Sequence, residues 1–166
     1  MEGSNKKSGA ICLIDAAYVL KGHSGKIDYI VMREELQKFV GVPFDRCIFY
    51  NSVGDSGRAD EFHRKMESNG FEVKLYGLKS RSTNCARCKK RTTVTVQKGV
   101  DVAIVTDLLS MAFRSEFHTV IIIAGDGDFA SATQQVKDMW RKVYFAGYEN
   151  SMSNDLKEIA DGIYWL

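Results

Sequence analysis

The chain has no apolar run approaching the roughly 18 residues of a membrane span; its strand-like runs, such as AICLI (10–14) and VIIIA (120–124), are far shorter. The opening MEGSNKKSGA also lacks the apolar core of a signal peptide, since AICLI is short and ends at an aspartate. Both absences argue against a membrane-bound or secreted protein, and a soluble, cytoplasmic one with reduced thiols is expected. Excess charge is missing too: 23 Lys and Arg stand against 21 Asp and Glu, a net +2 in 166 residues. The sum therefore names no polyanionic partner, and the distribution of charge matters more. Proline occurs once, at Pro43, and no repeat, low-complexity stretch or linker divides the chain. One domain over residues 9–166 is expected, after a flexible start at 1–8, with length enough for a real hydrophobic core.

What the chain does have is alternation. AICLI reads as a strand ending at Asp15, followed by a Gly-containing loop. Residues 28–41 then carry Ile30, Met32, Leu36, Phe39 and Val40 at helical spacing, closed by Gly41. CIFYNSV (47–53) reads as a strand, 59–70 as a helix stopped by Asn69 and Gly70, and 71–79 as a strand of period two. In 101–113, Val102, Val105, Leu109 and Ala112 mark one helical face. TVIIIAG (119–125) is apolar on both faces, as suits a central parallel strand covered by helices. A helix (FASATQQVKDMW), a strand (KVYFAGY) and a helix running into a short strand complete the chain. This βαβα rhythm predicts a three-layer α/β domain with a mainly parallel sheet. Cys12 and Cys47 fall inside apolar runs and read as core residues.

Residues 79–98 break the rhythm. They hold Lys79, Arg81, Arg87, Lys89, Lys90, Arg91 and Lys98 with no acidic residue, and TTVTVQ alternates like a half-exposed strand. The segment reads as a basic hairpin arm, either a solvated loop or a surface for RNA phosphates. Cys85 and Cys88 near its turn have the spacing of half a zinc site, which His63 or the same pair of a second copy in a homodimer would complete; free thiols are the alternative.

Acids cluster where strands end. Asp15 follows the first strand, Asp126 and Asp128 the central one, and Asp101 opens a helix after the arm. Ligands of open parallel sheets bind at the carboxyl ends of the strands, so neighbouring first and central strands would gather these acids in one crevice. Two carboxylates about 4 Å apart repel by about 4 kcal/mol at an effective dielectric near 20, so the cluster calls for a cation or for protons. Oxygen-only ligands favour Mg²⁺ or Mn²⁺ over Zn²⁺. The plainer reading, that Asp128 caps the following helix, stays open.

LIDAAYVL, QKGVDVAIVTDLL, IIIAGDGDFASATQQVKDMWRKVYFAG and SNDLKEIADGIYWL, taken together, resemble the NYN branch of the PIN-like ribonucleases, particularly the LabA-like group. The resemblance covers about residues 9–166 and implies a PIN-like, Rossmann-like fold and a metal-dependent endoribonuclease. By position it makes Asp15, Asp101, Asp126 and Asp128 the catalytic, Mg²⁺- or Mn²⁺-holding acids. It matches Asp107 to a further recurring acid and Ser153 to a serine before the last helix. Six residues rotate a helix by roughly 600°, so Asp107 cannot share a face with Asp101 and is expected to play a supporting part. Ser153 is most simply a cap. Many members carry Asn three residues after the first aspartate; this chain has Tyr18, which would hold RNA by stacking or hydrogen bonding. Single-stranded RNA is the expected partner, contacted by Arg81, Arg87, Lys89, Lys90, Arg91 and Lys98 of the arm. The family also includes weakly active and scaffolding members, so a non-catalytic RNA-binding module is the alternative. A haloacid-dehalogenase-like phosphatase would need a second aspartate where this chain has Ala17. His23, His63 and His118 stand in polar contexts and read as surface residues rather than as a catalytic base.

Overall fold

A computed structural model describes residues 9–54, 60–84, 87–88, 90–96 and 99–166. Strand β1 (Gly9–Asp15) leads into the short helix α1 (Ala16–Gly22), and α2 (Tyr29–Val40) returns to β2 (Phe44–Val53). Helix α3 (Glu61–Ser68) and β3 (Glu72–Gly77) follow, then β4 (Lys79–Asn84) and β5 (Arg91–Val96). Helix α4 (Val100–Phe113) leads to β6 (Phe117–Ile123), a 3₁₀ turn (Gly127–Phe129) and α5 (Ala130–Asp138). The chain ends with β7 (Lys142–Gly147), α6 (Asn154–Ile159) and β8 (Gly162–Trp165).

Six strands form one parallel sheet in the order β3-β2-β1-β6-β7-β8. Because side chains alternate across a strand, Ile11 and Leu13 of β1 join one core with Ile104, Leu108 and Val136. Cys12 and Ile14 join the other, with Met32, Leu36 and Met66. Helices therefore cover both faces in three layers, with buried Val120–Ile123 at the centre, as the doubly apolar run predicts. Strands β4 and β5 pair antiparallel in a sheet of their own, from Lys79 opposite Val96 to Asn84 opposite Arg91, which gives the expected hairpin arm.

Three details depart from the expected pattern. The stretch after Asp15 is helix α1 rather than loop, because Asp15 ends the strand and caps the helix at once. On α4 the buried stripe is Val100, Ile104, Leu108, Met111 and Ala112, while Val102 is 70% exposed. That helix is apolar around most of its circumference, so two stripes satisfy the helical period and the sheet selects the one beginning at Val100. Finally, His63 is buried, not on the surface. It sits at the third position of α3 in a capping box with Asp60, its Nδ1 2.9 Å from Asp60 Oδ1 and its Nε2 2.9 Å from Asn51 Nδ2. Both ring nitrogens are thus engaged by described residues.

Candidate functional site

The chain winds outward in opposite directions from the β1–β6 pair, through β2 and β3 on one side and β7 and β8 on the other. The carboxyl ends of β1 and β6 therefore flank a topological switch point, where open α/β sheets leave a crevice. Ile14 pairs with Ile123, so Asp15 and the segment from Ala124 to Asp126 leave the sheet side by side. Helix α4 brings Asp101 to the same place in its first turn.

Asp15 is buried, and its Oδ1 accepts from the amides of Ala17 at 3.0 Å and Tyr18 at 3.4 Å. Burial, with the charge of Asp101 adding to it, pushes its carboxyl above the ordinary carboxylate range, against the pull of those amides and Lys21. Asp101 is exposed to solvent, yet partial desolvation and then the charges of Asp126 and Asp128 push its carboxyl in the same direction. Asp126 is exposed and caps the 3₁₀ turn, its Oδ1 accepting from Asp128 N at 3.0 Å. Helix α5 has no side-chain cap, so Asp126 rather than Asp128 performs the local capping, and Asp128 stays exposed. Asp15 feels the charge of Asp101, and Asp101 those of Asp126 and Asp128, although among the described residues no three His, Cys, Asp or Glu side chains stand together as a ready-made metal cage. A group of carboxylates with no nitrogen or sulfur donor among them suits a hard divalent cation.

The other sequence-derived residues are spread more widely. Asp107 faces away from Asp101, accepting from Tyr50 Oη and from Lys74 Nζ, each at 2.6 Å. Burial, then this carboxylate, holds the Tyr50 phenol far above its usual range. Replacing Asp107 with alanine is expected to cost about 1–3 kcal/mol by orphaning a buried hydroxyl, read as a lower urea midpoint. Ser153 caps α6 by accepting from Leu156 N at 3.3 Å, and its own amide donates to Gly125 O at 2.9 Å. Tyr18 is committed within the protein: its hydroxyl accepts from Tyr148 N and Ser151 Oγ, each at 3.0 Å. His23 and His118 are exposed, as expected.

On the arm, Arg87, Cys88, Lys90 and Arg91 are exposed, and Arg81 lies in β4 opposite Val94. Cys85, Lys89 and Lys98 lie outside the described residues. Sequence reasoning missed Lys21, the basic residue in the last turn of α1, whose charge acts on both Asp15 and Asp101. Its position six residues after Asp15 carries that signal only once AAYVLKG is known to be helical.

No helix among the described residues is long and apolar enough to cross a membrane. Among solved structures, a Vibrio parahaemolyticus protein of unknown function shares the fold, with a TM-score of 0.72 over 99% of this chain and 96% of that chain. The two are 21% identical. No curated protein matches the chain. The NYN domain family matches residues 10–166, from the second residue of β1 to the last residue, and the chain belongs to that family.

Proposed function

We propose that this NYN domain is a divalent-metal-dependent endoribonuclease of the LabA-like group that hydrolyses phosphodiester bonds of single-stranded RNA. The observation carrying this reading is the run of charge coupling at the carboxyl ends of β1 and β6, where Asp101 adds to the effect of burial on Asp15, and Asp126 and Asp128 act in turn on Asp101. Asp15, Asp101, Asp126 and Asp128 would hold Mg²⁺ or Mn²⁺, which supplies Lewis acidity and charge neutralisation for phosphodiester hydrolysis. The protein's own contribution is positional. The amides of Ala17 and Tyr18 fix one oxygen of Asp15 and leave the other without a hydrogen-bond partner among the described residues, and the amide of Asp128 does the same for Asp126.

The arm runs from β5 into α4 only a few residues before Asp101, so Arg87, Lys89, Lys90 and Arg91, with Arg81 and Lys98, would gather RNA phosphates beside the acids. A binding module with little or no turnover is the second reading, favoured by the exposed Arg87, Lys90 and Arg91.

The test is cleavage of a panel of structured and single-stranded RNA and DNA in Mg²⁺, Mn²⁺ or EDTA, with Asp126→Asn in parallel. Asparagine keeps the acceptor for Asp128 N, so the turn persists while the charge is lost. Cleavage of single-stranded RNA in either metal, absent in EDTA and lowered about 100-fold or more in the variant, is the expected result, equivalent to about 2.7 kcal/mol of barrier. Equal inactivity of both proteins, with RNA still bound, selects the binding module.

A further inference from the structure

Beside Asp126 lies a cleft of about 530 Å³ whose walls include Lys21, Gly125, Gly127, Asn150 and Ser151. Its two sides come from distant parts of the chain, α1 and the loop from Tyr148 to Ser153. They are stitched together by the Tyr18 hydroxyl, which accepts from Tyr148 N and Ser151 Oγ. A reciprocal bond runs from Tyr148 Oη to Val19 O at 3.1 Å. The strap joins the α1 wall, which carries Lys21, to the loop wall, which carries Asn150 and Ser151, and Asp126 also lines the cleft.

The lining offers the Lys21 cation, the Asn150 carboxamide, the hydroxyls of Ser151 and Ser153 and bare glycine backbone, beside the Asp126 carboxylate and the Tyr18 and Met152 side chains. The Tyr18 ring packs so closely over Gly125 that a Cβ there would lie 2.5 Å from its Cε2. Its hydroxyl is held by two donors of the Tyr148–Ser151 loop, which fixes the ring in the cleft wall. Groups of this kind contact phosphate and sugar, whereas base readout needs edges or open aromatic faces. The neighbouring acids repel a polyanion, and Lys21 is the cation in the cleft lining.

We infer that this cleft is a phosphate–sugar subsite for single-stranded nucleic acid, with Lys21 contacting a backbone phosphate next to the acidic crevice. The inference rests on the proposed function in taking nucleic acid as the ligand, but it concerns binding rather than turnover. The test is fluorescence anisotropy of a labelled 12-nucleotide oligouridylate in EDTA, which keeps the RNA whole, titrated with salt for the full chain. Lys21→Ala is expected to weaken binding about tenfold and to flatten the slope of log K against log salt by about 0.7, the value for one phosphate on a single strand. Lys21→Arg should retain both, and Leu20→Ala, at an exposed neighbour, should change neither.

If Lys21→Ala lowers only the melting temperature and leaves the salt slope as in the parent, Lys21 is structural and the subsite is overturned, even where the parent cleaves RNA. Failure of the parent to bind the oligonucleotide also overturns it. A parent that binds with the Lys21-dependent slope but cleaves nothing in either metal defeats the nuclease reading and leaves the subsite standing.

Discussion

Asp15→Asn is expected to lower cleavage about 100-fold or more with α1 intact, whereas Asp15→Ala should lose both activity and stability. The two variants separate two tasks carried by one side chain. As the cap of α1, Asp15 supplies a single acceptor to the amides of Ala17 and Tyr18, and asparagine serves equally well at such a position. Alanine removes the acceptor, at about 1 kcal/mol. As an acid, Asp15 supplies a charge that only aspartate carries here.

The stability of Asp15→Asn at neutral pH should equal or exceed that of the parent, and the sign follows from linkage. The folded-state pKa of Asp15 is raised above its ordinary 3.8, as is that of Asp101. The native state therefore holds their protons more tightly than the unfolded chain does. Their favourable contribution is complete below the unfolded value and is lost as pH rises through the folded one. The parent should gain on Asp15→Asn as pH falls into that window, and urea melts at neutral and acidic pH would show it. A parent that is more stable than the variant at neutral pH, by a margin that narrows in acid, would reverse the sign and remove burial as the dominant influence on Asp15.

Gly125→Ala should cost about 1–3 kcal/mol as overpacking does and lower cleavage as well. A Cβ at this position would stand 2.5 Å from Tyr18 Cε2 and 2.7 Å from the carbonyl oxygen of Ser151. Neither neighbour can yield easily. The tyrosine is tethered at its hydroxyl by two donors, and the carbonyl belongs to the backbone of the loop that closes onto Gly125 through Ser153 N. Whatever shifts would carry Asp126, the next residue, with it. Gly77→Ala is the matched control, since nothing among the described residues lies within 4 Å of a Cβ there. Similar denaturation midpoints for the two variants would show that the site is more pliable than its packing implies.

Much of this arrangement was legible in the chain because strands declare themselves through apolar continuity. VIIIA, apolar on both faces, can only be a central strand, and an aspartate just past such a strand has to emerge at the sheet's carboxyl edge. The hairpin was legible in the alternation of TTVTVQ. Short or ambiguous helices were not. AAYVLKG is seven residues long and takes its cap from the last residue of a strand, so no polar break announces it, and Lys21 stayed hidden with it. The face of α4 was undecided because its apolar residues nearly encircle the helix. The place of His63 inside the protein followed from two polar partners, Asn51 and Asp60, that hydrophobic periodicity does not register.

The strand order also governs when the acidic crevice can exist. Strands β1 and β6 are neighbours in space, yet α1 through α4, the arm included, lies between them in sequence. Their pairing closes a long loop, and the entropy of that closure makes it one of the slower contacts to form. During synthesis, β1, β2 and β3 are available to associate while β6 is still unmade, and such a chain carries Asp15 without Asp126. The crevice between the ends of β1 and β6 therefore exists only once β6 has been made and has paired with β1.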